Sequence, residues 1–151
     1  MFDLQHNHPR RRVAIGSDNQ SAMTDALVSD LRERGFELEL LGALGESELS
    51  WPQVGRTVGE VVAAGGVDFG IVCCWTGTGV CIAANKVHGI RAALCNDAQT
   101  AAGARRWNDA NVLALSLRLV TPALAHEILE AWLTTAPSEE ASDRAAIAFF
   151  E

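Results

Sequence analysis

Residues 67–87 read VDFGIVCCWTGTGVCIAANKV, and the fold class follows from how that stretch divides. An apolar run closes at Cys73 and Cys74, with the length of a strand buried on both faces. It breaks into Trp75-Thr76-Gly77-Thr78-Gly79. Gly77 and Gly79 permit a tight turn there, with backbone N–H groups facing a ligand. Residues 80–87 read as a helix whose N-terminus faces the loop. Strand, glycine-rich turn and helix in that order are half of a βαβ unit.

The alternation extends both ways. Residues 13–15 form a short buried strand ending at Gly16. Met23, Leu27 and Leu31 then recur at helical spacing, with Gly35 past the helix end. Phe36, Leu38 and Leu40 alternate with Glu37 and Glu39, which is strand period. Residues 42–50 read as a loop. Pro52 opens a helix that turns Val54, Val58, Val61 and Val62 inward and stops at Gly65-Gly66. Downstream, residues 90–95 and 112–115 read as strands. Asp97 caps a helix running to about Trp107, and Thr121 caps another opening at Pro122, with Leu124, Ile128, Leu129 and Trp132 inward. Residues 138–150 read as a last amphipathic helix with Ile147, Phe149 and Phe150 as its apolar end. Five strands alternating with helices predict one α/β domain, a five-stranded parallel sheet flanked by helices in three αβα layers. Ligands of such sheets bind outside the carboxyl ends of the strands. Three loops qualify, residues 16–20, 75–79 and 96–99.

Composition narrows the function. The chain has 151 residues, 48% of them hydrophobic, enough for one buried core. A net charge of -7 and a pI near 5.0 argue against a nucleic-acid surface, which needs a basic stripe to neutralise phosphates. No apolar run approaches the roughly 20 residues of a membrane span. The first twelve residues, MFDLQHNHPRRR, do not make a secretory signal, so a cytoplasmic protein is expected. They read as a flexible leader carrying His6 and His8, with the domain proper over residues 13–151. Cys73, Cys74, Cys81 and Cys95 form no CxxC pair, so neither a zinc site nor a disulfide framework is suggested.

The loop after the central strand is the candidate for chemistry. Its N–H groups and the positive end of the following helix can hold a phosphate, a carboxylate or an enediolate oxygen. The same donors favour the thiolate of Cys74. A thiolate beside an anion hole can move a proton between adjacent sugar carbons. Cys73 points to the opposite face of the strand and reads as core. A cysteine-phosphatase loop requires Arg six residues after the nucleophile, where this chain has Val80. A GxGxxG fingerprint fails at Ile82, and no Walker GK[ST] is present.

Cys74-Trp75-Thr76-Gly77-Thr78-Gly79, the following IAANK and GIRAA segments, and NDANVLAL at residues 108–115 together resemble the ribose-5-phosphate isomerase B and galactose-6-phosphate isomerase family. The resemblance runs from about residue 13 to 135. It implies a Rossmann-like fold, no metal or organic cofactor, and aldose–ketose interconversion of a sugar phosphate through a cis-enediol. It also implies homodimers or dimers of dimers whose active sites are shared between subunits. The family's catalytic cysteine falls on Cys74 and its loop threonine on Thr76. The amides of Gly77, Thr78 and Gly79 would steady the enediolate. The aspartate of the GCDHAG motif falls on Asp18, the asparagine of HND on Asn108, and the arginine of GxRV on Arg118.

Departures concentrate at substrate-contacting positions. Asn19 and Trp107 stand where the family has histidines, the latter the one that helps open the sugar ring. Trp75 replaces a glycine. Of the C-terminal phosphate-binding arginines only Arg144 has a counterpart, and Glu139 and Glu140 lie nearby. An indole N–H donates but cannot act as a base, so Trp107 cannot open a ring. Trp75 and Trp107 could instead stack on a sugar face. These changes suit a short sugar phosphate that is already open-chain. The competing readings are a sugar-phosphate binding module without activity and an epimerase using the same enediol. Purely structural roles compete residue by residue: Asp18 capping a helix, Asn108 fixing a turn, Arg118 pairing a surface carboxylate.

Overall fold

Short apolar runs place β1 (Arg12–Ser17), β2 (Glu37–Gly42), β3 (Phe69–Cys74), β4 (Ala92–Leu94) and β5 (Val112–Ser116) in one parallel sheet, ordered β2-β1-β3-β5-β4. The computed structural model describes residues 11–151, so His6 and His8 lie outside the described residues. Arg12, expected in the leader, already belongs to β1. Its N–H donates to the Asp68 carboxylate at 2.7 Å, and its C=O accepts the Asp68 N–H at 2.8 Å.

Among the described residues six helices complete the fold: α1 (Ala22–Glu33), α2 (Trp51–Ala63), α3 (Thr78–Asn85), α4 (Ala98–Asn108), α5 (Pro122–Thr134) and α6 (Ala141–Ala148). Each strand of the sheet centre feeds two apolar layers, because successive side chains point to opposite faces. On one face Ile15, Ile71, Cys73 and Leu113 pack against Leu27 and Leu31 of α1, Ala101 of α4, and Ile128, Leu129 and Trp132 of α5. On the other, Ala14, Val72, Cys74 and Ala114 meet Val54, Val58 and Val62 of α2 and Val80 and Ala84 of α3. The first layer is also tied at its rim. Asp30 of α1 accepts from Arg34 at 2.7 Å and lies 2.8 Å from His126 of α5, while Arg34 reaches Glu130 at 2.6 Å. Burial works to raise the Asp30 carboxyl, but these partners hold it below its ordinary value.

The sheet edge at β4 is shorter than the sequence predicts, because side chains take over from the ladder. Asn85 donates to the Ala92 C=O at 2.9 Å and accepts its N–H at 2.8 Å, imitating a neighbouring strand. The Cys81 thiol, one turn earlier on α3, lies 3.5 Å from the same carbonyl. Asn85 and Cys81 thus occupy at Ala92 the edge groups with which another strand would pair. The last helix also differs from expectation. α6 packs on α4 but buries no residue, and Phe149 and Phe150 are exposed. Among the described residues no helix is long and apolar enough to cross a membrane.

Candidate active site

Strand order decides where a ligand would lie. From β1 the chain goes outward to β2, and it returns to place β3 on the other side of β1. The β1/β3 boundary is therefore a topological switch point, where a crevice opens at the carboxyl ends. Ser17 pairs with Cys73 in register, which sets Asp18 beside Cys74 as both strands end. Asn19 follows in an exposed turn, its N–H donating to the Ser17 hydroxyl at 3.2 Å.

The glycine loop is held from behind and left free in front. The C=O groups of Cys74 and Trp75 accept the N–H groups of Leu117 and Arg118, each at 3.0 Å. The Ser116 hydroxyl also donates to the Trp75 C=O at 3.0 Å. Thus Arg118, exposed and without an ion pair among the described residues, is tethered by its backbone next to the loop. Gly77 caps α3 with a left-handed φ of 77°. A Cβ there would sit 2.8 Å from the Leu115 backbone and 2.6 Å from the Leu94 side chain, so only glycine fits. The Thr76 and Thr78 hydroxyls bond each other at 2.7 Å, and Thr76 accepts weakly from the Thr78 N–H at 3.4 Å. The amides of Gly79 and Val80 have no protein acceptor among the described residues. They are the unsatisfied donors of a helix N-terminus, aimed where an anion would be stabilised.

Cys74 itself lies under this loop. It is 5% exposed, packed in the apolar layer with Val54 and Val80. Cys73 is fully buried in the opposite layer, as the alternation predicts. Burial first, then the neighbouring Cys74 and Asp18, pushes its thiol well above the usual range. Burial likewise pushes Cys95 up to about 12, with Cys81 and Asp97 adding to it. The Cys81 thiol is also raised by burial, against a backbone contribution from Leu94.

The structural alternatives for Asp18 and Arg118 fall away. Ser21 caps α1 in a reciprocal box with Thr24, so Asp18 is not the cap. One Asp18 carboxylate oxygen is buried with no partner among the described residues, and the residue lines a groove of about 610 Å³ with the 42–50 segment. Glu46 and Glu48 share that groove, an acidic lining that suits hydroxyl donors better than phosphate. Asn108 does not fix the turn that follows it; Asp109 does, as the left-handed C-cap of α4.

Three expected residues are not brought to this crevice. α4 begins at the carboxyl end of β4 and ends before the amino end of β5, so Trp107 and Asn108 lie at the far end of the sheet. Both are exposed and line a groove of about 760 Å³ between α4 and the β4 edge, with Leu94, Asp97 and Arg106. Arg144 on α6 lies at that same end, in a groove with Asp109, Glu139 and Glu151. Three carboxylates make it a poor place for a phosphate within one chain. Sequence reasoning also missed Trp51. Its indole lies over Gly79, 2.7 Å from where a Cβ would be, and it walls the loop on the α2 side while remaining 46% exposed. Separated from the loop by 28 positions, it gave no local signal. Among the described residues no group of three or more His, Cys, Asp or Glu converges as metal ligands would.

Comparison with known proteins places this arrangement in context. A model of the ribose/galactose isomerase family matches residues 13–148. D-erythrulose-4-phosphate isomerase of Pectobacterium atrosepticum is 40% identical over 124 residues, covering 80% of this chain and 81% of that protein. Ribose-5-phosphate isomerase B of Escherichia coli is 40% identical over 124 residues, covering 82% and 83%. The solved structure of ribose-5-phosphate isomerase B from Mycoplasma genitalium with bound ribulose-5-phosphate is similar at a TM-score of 0.82 and 33% identity, covering 94% of this chain and 95% of that one.

Proposed function

The chain belongs to the ribose/galactose isomerase family, and on that premise we propose that it isomerises a short, open-chain sugar phosphate through an enediol, with Cys74 as the base. Its relatives make it a sugar-phosphate aldose–ketose isomerase, an intramolecular oxidoreductase. The observation that carries the mechanism is the juxtaposition at the β1/β3 switch point: the Cys74 thiol, the Asp18 oxygen and the Gly79 and Val80 amides, the last three without partners among the described residues.

In this reading the Cys74 thiolate takes a proton from the carbon beside the carbonyl and returns it to the neighbouring carbon. The oxygen that gains charge is met by the loop amides and by Thr76, which act as preorganised donors and need no rearrangement as the charge develops. Asp18 and Asn19 hold hydroxyls from the β1 side. Arg118 is the cation placed to take the phosphate. Gly77 and Thr78 set the direction of the loop amides, and Trp75 and Trp51 wall the pocket.

Asn108 and Trp107 reach such a site only from a second copy, and so does Arg144. We therefore read the working form as a homodimer or dimer of dimers with shared sites. Trp107 then stands where ring opening would be catalysed and supplies no base. That favours a four-carbon sugar phosphate, whose terminal phosphate occupies the oxygen that would close a five-membered ring. The Pectobacterium relative is named for such a substrate.

A second reading, a binding module without turnover, is favoured by one observation, the nearly complete cover over Cys74. Four-, five- and six-carbon aldose phosphates, scored for ketose formation and for solvent deuterium at C1 and C2, separate the two. The expected result is ketose from the four-carbon substrate, with kcat/KM at least about tenfold above that for ribose-5-phosphate, a difference of about 1.4 kcal/mol in transition-state binding. A clear preference for ribose-5-phosphate contradicts the open-chain assignment. Absence of both ketose and deuterium from every substrate, with a sugar phosphate still bound in calorimetry, supports the binding module.

A further inference from the structure

We infer that Asp109, gripped by Arg91 and Arg105, is a positioning residue for Asn108; the inference rests on the reading of Asn108 as a substrate contact. Asp109 is the one non-glycine residue with positive φ among the described residues, at φ 45° and ψ 44°. A side chain disfavours that backbone region, and helices that end this way usually place glycine or asparagine there. Asp109 stays in it because it is held from two sides. Arg91 donates through Nε to the Asp109 C=O at 2.8 Å and through Nη2 to its carboxylate at 3.4 Å. Arg105, one turn back on α4, reaches the other carboxylate oxygen at 3.1 Å and also the Ala110 C=O.

Both arginines are fixed in turn. The Arg91 N–H donates to the Asn111 side chain at 2.7 Å, and its guanidinium pairs with Glu151. The Arg105 guanidinium lies over the Trp132 ring, 5.4 Å from its centroid. Glycine alone would end the helix without strain. The clamp does something glycine cannot, which is to hold the last turn of α4 against fraying. That turn carries Trp107 and Asn108 into the groove beside β4. The Asn108 side chain is exposed and has no hydrogen bond among the described residues. Its orientation therefore comes from the backbone that Asp109 fixes, which is how a group on a helix end is preorganised for a ligand.

The test is a set of kinetic cycles with the four-carbon sugar phosphate. Asp109→Gly keeps the left-handed turn and removes the grip. We expect kcat to fall about tenfold or more, with KM changed less than about threefold, because a misplaced contact costs rate. Asp109→Asn adopts the same backbone and still accepts from an arginine, so it restores kcat to within about threefold. Arg105→Met, which keeps a stem on Trp132, lowers kcat in the same direction and serves if the glycine variant folds poorly. In an Asn108→Ala background none of these changes lowers kcat further. Wild-type kcat in Asp109→Gly, or equal losses with and without Asn108, overturns the inference and leaves Asp109 a structural residue. Wild-type kcat in Asn108→Ala overturns the reading of Asn108 and this inference with it, without touching Cys74.

Discussion

The two ends of the sheet are built on opposite terms. At the carboxyl end, polar groups are left without partners among the described residues: an Asp18 oxygen, the Gly79 and Val80 amides, the Arg118 guanidinium. At the amino end and along the β4 edge, Asn108 apart, several polar groups are tied to one another. Asn85 closes on Ala92, Asn111 on Gly89 and Arg91, and Arg91 and Arg105 on Asp109. Unsatisfied buried or semi-buried groups cost stability, and they accumulate where a ligand is to satisfy them. The contrast teaches that the segments around the sheet are of two kinds. The loop at residues 74–79 leaves the Gly79 and Val80 amides that follow it unbonded among the described residues, as the proposed chemistry requires. Much of IAANK, GIRAA and NDANV is arranged to keep a three-residue edge strand in place.

Substitutions at the two ends should separate activity from stability. The largest effect is expected from Gly77→Ala. Its Cβ meets the Leu115 backbone, and its φ of 77° is left-handed, so the loop must shift. Displaced loop amides lower kcat by about a hundredfold or more, the scale of losing an oxyanion donor. The left-handed strain alone costs about 1–2 kcal/mol. Steady-state kinetics and thermal unfolding on one preparation check both, and wild-type kcat would remove the loop from the mechanism. A smaller effect of the opposite kind is expected from Asn85→Ala. Losing two hydrogen bonds to Ala92 lowers stability by about 1–3 kcal/mol, while kcat of the folded protein stays within about twofold. A large fall in kcat with unchanged unfolding would erase the division between the two ends.

Most of the fold was legible because it depends on local periodicity. The five parallel strands and the helix caps at Asp97 and Thr121 follow from apolar spacing and cap chemistry, and the structure has them in place. What the sequence misplaced depends on distant partners. β4 runs Ala92–Leu94 rather than 90–95, because the Arg91 N–H goes to Asn111, twenty positions away, instead of a strand. β3 begins at Phe69 rather than Val67, because Asp68 is engaged with Arg12. α6 reads as amphipathic, yet among the described residues Phe149 and Phe150 stay exposed. The site was legible in part for the same reason. Cys74, Thr76 and the glycines are contiguous, and Asp18 follows from strand order. Trp51 over Gly79 and the grip on Asp109 are tertiary facts. The separation of Trp107, Asn108 and Arg144 from Cys74 is likewise a consequence of the direction in which α4 and α6 run.

The central claim is that the Cys74 sulfur moves the proton, although it is covered in the single chain. Its most direct test is hydrogen exchange at the reacting carbons. Cys74→Ala is incubated in deuterium oxide with its best sugar phosphate, and C1 and C2 are followed by NMR, with circular dichroism to verify the fold. The account requires a folded protein that incorporates no deuterium above background, beside a wild type that does. Deuterium entering the substrate at the wild-type rate in Cys74→Ala would contradict it and assign the proton to another group.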